Sequence, residues 1–380
     1  MRDETPRRLP PQVIILGFVS LLNDTASEMI YPLLPVFLTA TLGATPVIIG
    51  VIEGAADALA SVLRYLAGTW SDRMRHRKPL VVTGYALATA SRAIIGAATA
   101  WTAVLTARLL DRTGKGLRSA PRDALISDVT FAGDRGRAYG FQRALDHAGA
   151  IAGPLLAIAL LQGLGLPMRQ IFFLAVIPGA IGVVLLMFAL PESAGAPRSS
   201  PPAGEPVRAP LGRPFRRALI AIALFSLANS SDAFLLLQAH AAGIATPMLP
   251  LLWAAHHVVK ALFSTYAGAV SDRAGRRSLL MAGWISYAVI YAVFPAATSI
   301  PAFMALFVAY AIPFTLSEGA ERALISDLVP PAARGRSFGI YYLVNGAGVL
   351  AGSALFGLLY QNVSPWAAFA TGAGLALAAA

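Results

Sequence analysis

Several carboxylates, cations and a histidine sit inside long apolar runs of this chain, where a charge is costly unless it works or pairs. The first run holds Asn23, Asp24, Glu28 and Tyr31; Asp24 and Glu28 are one helical turn apart and share a face with Tyr31. Asp24 lies about 12 residues into the run, roughly 18 Å along a helix rising 1.5 Å per residue. A carboxylate near the middle of an apolar span costs about 2.5–3.5 kcal/mol on insertion scales and has to face a cavity or a partner. The chemistry open to it is proton loading and release. Asn229 and Asp232 take the comparable place in the seventh run.

Further groups follow at helical spacing. Glu53, Asp57 and Arg64 form one stripe, and Arg108, Asp111, Arg112, Lys115, Arg118 and Arg122 another. Asp111 is placed to pair with Arg108 and Lys115, and snorkelling accounts for Arg118 and Arg122. Arg112 and Lys115 lie deeper, and their positive stripe suits an anionic or zwitterionic substrate. In the fifth run Arg143 and Asp146 are spaced to neutralise one another, and His147 is either a proton-relay member or a hydrogen-bonded polar residue. Glu318, Glu321 and Arg322 form a mixed cluster with Glu318 deepest. Lys260 suits an anionic substrate group or an acidic partner. His256 and His257 point about 100° apart on a helix, so they do not share a metal, and no metal or cofactor is expected.

These positions require a membrane. Of the 380 residues 57% are hydrophobic and 13% charged, with a mean hydropathy of +0.65, whereas soluble domains carry roughly 25% charged residues. Long apolar runs recur, and a span needs about 20 such residues. The absence of cysteine removes disulfides and thiolate chemistry. No nucleophile–base pair appears, and Gly114-Lys115-Gly116 lacks the glycine-rich phosphate loop, so neither an enzyme nor an ATP-driven pump is expected.

The net charge of +11 is distributed in a way that argues against nucleic acid. Arg2, Arg7 and Arg8 precede the first span, and Arg73, Arg75, Arg77 and Lys78 follow the second. Arg135 and Arg137 follow the fourth, and Arg273, Arg276 and Arg277 the eighth. The alternate loops near 43–46, 98–101, 243–247, 296–301 and 361–366 have no Lys or Arg, and the remaining one has Arg169. This positive-inside pattern places both termini in the cytoplasm of a multi-pass protein of the inner (plasma) membrane. The N-terminal segment shows no cleavable signal pattern, so the first span is expected to stay.

Spans are expected near 12–41, 46–69, 79–98, 101–126, 136–163 and 168–190, then 216–243, 247–270, 278–297, 301–326, 335–361 and 366–380. That makes an all-α membrane protein of twelve helices in two pseudo-symmetric six-helix bundles. Residues 1–190 form the first bundle, the Pro/Ala/Gly/Arg-rich 191–215 a cytoplasmic linker, and 216–380 the second. The halves repeat: Gly68-Thr-Trp-Ser-Asp72-Arg73 matches Gly268-Ala-Val-Ser-Asp272-Arg273, and Ala124–Asp128 matches Ala323–Asp327. Arg135–Gly140 likewise matches Arg334–Gly339. Gly140, Gly149, Gly153 and Pro154 return as Gly339, Gly348, Gly352 and Ser353. Such small residues let helices approach closely in lipid, and Pro154 loosens the backbone ladder. Same-orientation repeats suit alternating access by rocking about an axis along the membrane normal.

On these residues the chain resembles the major facilitator superfamily across all twelve spans. Gly68, Asp72, Arg73 and Arg77 look like its cytoplasmic loop signature, repeated at Asp272 and Arg273, and are expected to gate that side. The Gly140–Ala157 frame looks like its span-five antiporter signature, with Ala157-Ile158 where a glycine pair is usual. Arg112–Ala120 is similar to the span-four signature, with Lys115 and Arg118 replacing the usual glutamine and glycine. The resemblance implies a monomeric secondary transporter in the lipid bilayer, working on a small-molecule substrate with protons as coupling ion. Antiport that exports a drug or metabolite is the leading expectation. Symport of an organic anion or other metabolite is the alternative, and a non-transporting sensor a lesser one.

Overall fold

The structure is a computed structural model that describes residues 8–34, 37–44, 46–74, 76–191, 211–229, 235, 249–297 and 299–380. Twelve helices run through them: α1 (Pro11–Glu28), α2 (Pro46–Arg73), α3 (Lys78–Ala97), α4 (Trp101–Val129), α5 (Arg135–Ile158) and α6 (Met168–Ala189). The second series is α7 (Arg213–Ala228), α8 (Leu249–Ala274), α9 (Arg276–Val293), α10 (Ile300–Asp327), α11 (Arg334–Asn362) and α12 (Pro365–Ala379). Helices suit lipid because each satisfies its own backbone polar groups. Among the described residues six helical stretches are long and apolar enough to cross a membrane by length and composition alone. Phe188 and Leu350 are 82% and 75% exposed, as side chains against acyl tails would be.

Local chemistry explains the departures from the expected spans. The first span does not run unbroken to residue 41, because α1 ends at Glu28. The Tyr31 N–H still bonds the Ser27 carbonyl at 3.0 Å, but Pro32 has no N–H with which to continue. The face shared by Asp24 and Glu28 therefore stops short of Tyr31, which is 52% exposed. Pro121 and Pro154 stay inside α4 and α5, and α5 passes into a π-helical turn over Ala159–Gly163. Most of the linker expected at 191–215 lies outside the described residues, and α7 begins at Arg213.

The chain divides into two compact units. They follow the sequence halves except at two helix starts: the first takes residues 1–132, 145–209 and 330–340, the second 133–144, 210–329 and 341–380. In the first unit α4 packs on α2 and α3, and α1 on α6. Gly84 and Gly114 allow this, since a Cβ on Gly84 would lie 2.6 Å from the Gly114 carbonyl oxygen. In the second unit α10 packs on α8 and α9, and α12 on α7 and α9. Its interior is aromatic: Tyr287 stacks on Tyr291 at 4.5 Å, Tyr291 meets Phe369 at 4.9 Å, and Tyr310 meets Phe314 at 5.0 Å.

Candidate functional site

Two matching ion clusters stand at helix ends. In the first unit Asp72, at the end of α2, accepts hydrogen bonds from the Gly335 N–H (2.9 Å) and Arg336 N–H (2.6 Å). A carboxylate there meets the unsatisfied donors and positive dipole end of α11. Arg77 donates to Asp72 at 2.7 Å and to Asp128 at 3.3 Å, and Arg334 donates to Asp128 at 2.7 Å. The second unit repeats this with the halves exchanged. Asp272 accepts from the Gly136 and Arg137 N–H groups, both at 2.9 Å, and from Arg276. Arg276 and Arg135 each reach Asp327 at 2.5 Å. Gly68 and Gly335 have no room for a side chain, each being pressed on the other's backbone.

The clusters correct the gate expected from the loop signature. Arg73 and Arg273 are exposed, whereas Arg77, one of the expected residues, pairs with Asp72 and Arg276 with Asp272. The helix-start residues Gly335, Arg336, Gly136 and Arg137 were not foreseen as partners, since the loop pattern carries no sign of the backbone it meets.

The interior of the first unit gathers most of the expected ionisable groups. Asn23 donates to Asp24 at 2.9 Å and accepts from Arg92 at 2.8 Å, while Arg92 also reaches the Asn23 carbonyl at 3.0 Å. Asp146, Arg118 and Lys115 act electrostatically on Asp24, and Asp24, Lys115, Arg112 and Arg108 on Glu28. Asp111 pairs with Arg112 at 3.4 Å and Arg108 at 3.6 Å rather than with Lys115. Lys115 lies among Arg112, Arg64, Asp24 and Asp111. Arg118 and Arg122 do not snorkel, being 6% and 9% exposed. Arg118 covers the Tyr85 ring at 4.4 Å, and Arg122 bonds Ser20, Tyr85 and Asp123 at 2.9, 3.3 and 3.1 Å. Arg92 escaped notice, although it is a lone cation deep in the α3 run. Tyr31 lies 5.9 Å under Arg108. The side chains of Glu53 and Asp57, and all of Asp232, lie outside the described residues.

The span-five glycines seat α5 on α1. A Cβ on Gly149 would lie 2.6 Å from the Leu21 carbonyl oxygen and 3.0 Å from Asp24 Cβ. One on Gly153 would lie 2.6 Å from the Thr25 carbonyl oxygen. Gly348 and Gly352 seat α11 on α7 in the same manner, against Ser226 and Leu227. In this register Ser226 is the counterpart of Asp24, and Asn345 that of Asp146; Asn345 donates to Ser226 Oγ at 3.2 Å. Asn229, expected in that place, lies three residues further along the chain.

In the second unit Glu318 accepts from Arg143 at 2.5 Å and pairs with Lys260 at 2.8 Å. Arg143 thus reaches across to Glu318 on α10. His147 is 5% exposed. His256 lies in the aromatic interior, 5.5 Å from Tyr310 and 5.7 Å from Phe307.

The sequence model described as Major Facilitator Superfamily matches residues 16–255 and 233–380. The chain belongs to the major facilitator superfamily. Members of this superfamily are membrane transporters, so the chain is a transporter and not an enzyme. It is 32% identical over 381 residues to an uncharacterized MFS-type transporter of Methanocaldococcus jannaschii, covering 99% of this chain and 94% of that one. A multidrug resistance protein, MdtH, of Photorhabdus laumondii is 29% identical over 150 residues, 40% of this chain and 35% of MdtH. In fold the superfamily chain is similar to the human organic anion transporter MFSD10, with a TM-score of 0.76 at 17% identity over 97% of this chain and 99% of that one.

Proposed function

We propose that this chain is a proton-coupled antiporter that exports a small organic compound by alternating access, with Asp24 and Asp146 as its proton-handling pair. The observation that supports this most is the contrast between equivalent helix crossings. Where α11 meets α7, Asn345 and Ser226 close a neutral hydrogen bond. Where α5 meets α1, the corresponding residues are two aspartates that act on one another. Two carboxylates make a comparable bond only with a shared proton between them. Glu28, Lys115 and Arg112 extend the site toward a substrate, with His147 and Asp111 as neighbours that position charge. The likeness to MdtH supports export.

The two ion clusters serve this cycle as latches, with Asp72 and Asp272 held by helix starts and by Arg77 and Arg276. Their location fits the cytoplasmic side, with both termini there, in the plasma membrane. The protein works as a monomer of two six-helix bundles joined by a linker at 191–215. Uptake of an organic anion by symport is the second reading, favoured by the cations Arg112 and Lys115 around Glu28. The test is proton flux in proteoliposomes across a metabolite and drug panel. Wild type moves protons against substrate, and Asp24→Asn abolishes the coupling; normal coupling in that variant removes Asp24 from the mechanism.

A further inference from the structure

Glu318 on α10 is held by two cations from two other helices, one on each carboxylate oxygen. Arg143 Nε meets Oε2 at 2.5 Å and Lys260 Nζ meets Oε1 at 2.8 Å. Arg322 adds a third positive group, donating to the Glu318 backbone carbonyl at 3.0 Å. Lys260 is 7% exposed and lies 4.6 Å over the Phe314 ring. That ring continues into Tyr310 at 5.0 Å and His256 at 6.2 Å. A carboxylate clamped from two sides beside an aromatic wall has the form of a bound organic anion.

We propose that Arg143 and Lys260 form the clamp for the anionic group of the substrate, a carboxylate or sulfonate on an apolar or aromatic body, and that Glu318 fills this clamp in the substrate-free protein. The proposal rests on the transporter reading above and names its substrate class. Planar guanidinium and compact ammonium groups are the usual partners of such anions, and a charge-assisted bond on each oxygen fixes the group's orientation. Phe314 supplies the apolar neighbour for the rest of the molecule. An internal carboxylate in the clamp keeps the buried Lys260 and the half-buried Arg143 compensated while no substrate is present. Substrate entry then exchanges one carboxylate for another, at little net electrostatic cost.

The experiment measures binding of benzoate, a minimal aromatic carboxylate, to the full chain in phosphatidylcholine nanodiscs. Glu318→Gln empties the clamp of its internal anion, and benzoate then binds at least about tenfold more tightly than to wild type. Lys260→Gln added to Glu318→Gln abolishes the gain, and Lys260→Arg in that background restores it. If Glu318→Gln does not fold, Glu318→Asp, whose shorter side chain withdraws from one cation, shows a smaller gain in the same direction. Equal benzoate affinity in wild type and the folded variant overturns the proposal. So does stabilisation of Glu318→Gln by phosphatidylglycerol in the discs with no benzoate binding, which assigns the clamp to a lipid headgroup. Proton flux by the wild type is read separately. A clamp that binds benzoate in a chain that moves no protons sinks the coupling reading alone.

Discussion

At the α1–α5 crossing Gly149 and Gly153 bring backbone against backbone, with Asp24 and Asp146 beside the contact. At the α7–α11 crossing Gly348 and Gly352 do the same, with Ser226 and Asn345. The steric requirement survives in both copies and the charge in one. The two units differ on a larger scale too: the first buries Arg92, Arg118 and Arg122 with Asp123, and the second, beside its buried Lys260, Glu321 and Arg322, holds a connected nest of tyrosine and phenylalanine rings. Close helix approach is thus the shared architecture, and ionisable chemistry at the crossing is what one copy has added. A neutral crossing has one protonation state and stays as it is. An acidic crossing has at least two, and a two-state element is what a coupled transporter needs.

The largest effect is expected from removing what the copies share. Gly149→Leu and Gly348→Leu each force a side chain into a neighbouring helix, at about 3 kcal/mol, and both deplete folded protein in size-exclusion profiles. A variant that is harmless in one copy and severe in the other would break the equivalence of the crossings. Next come the two ion clusters. Asp72→Ala and Asp272→Ala each leave two backbone donors and an arginine without their carboxylate. Both lower stability by about 2–3 kcal/mol, seen as matching losses in thermal unfolding. The smallest effect belongs to the neutral crossing. Ser226→Ala removes one hydrogen bond, about 1 kcal/mol, and leaves proton flux unchanged.

Much of this was legible in the sequence because it repeats. The recurrence of Gly140, Gly149 and Gly153 as Gly339, Gly348 and Gly352 marked the crossings, and the Asp72 and Asp272 loops marked the ion clusters. What those residues touch was not legible. The loop signature presents Arg73 and Arg77 alike, and only the turn after α2 turns Arg77 inward while Arg73 stays exposed. Arg143 and Asp146 have ideal spacing for a pair on one helix, and nothing in that spacing shows that Arg143 also meets Glu318 on α10. Spacing along one helix says nothing of a partner on another. The counterpart of Asp24 was missed because the register of α7 is set by packing on Gly348, whereas the sequence offered Asn229 and Asp232 as the amide and carboxylate of that stretch. Arg92, whose guanidinium holds Asn23 beside Asp24, could have been found as an isolated cation in an apolar run.

The most direct test turns the acidic crossing into a copy of the neutral one. Asp146→Asn places at the first crossing the amide that Asn345 supplies at the second, with the backbone contacts kept. In proteoliposomes under a proton gradient, the account predicts a folded protein whose substrate movement no longer responds to the gradient. Substrate movement by Asp146→Asn that is driven by protons as strongly as in the wild type would contradict it.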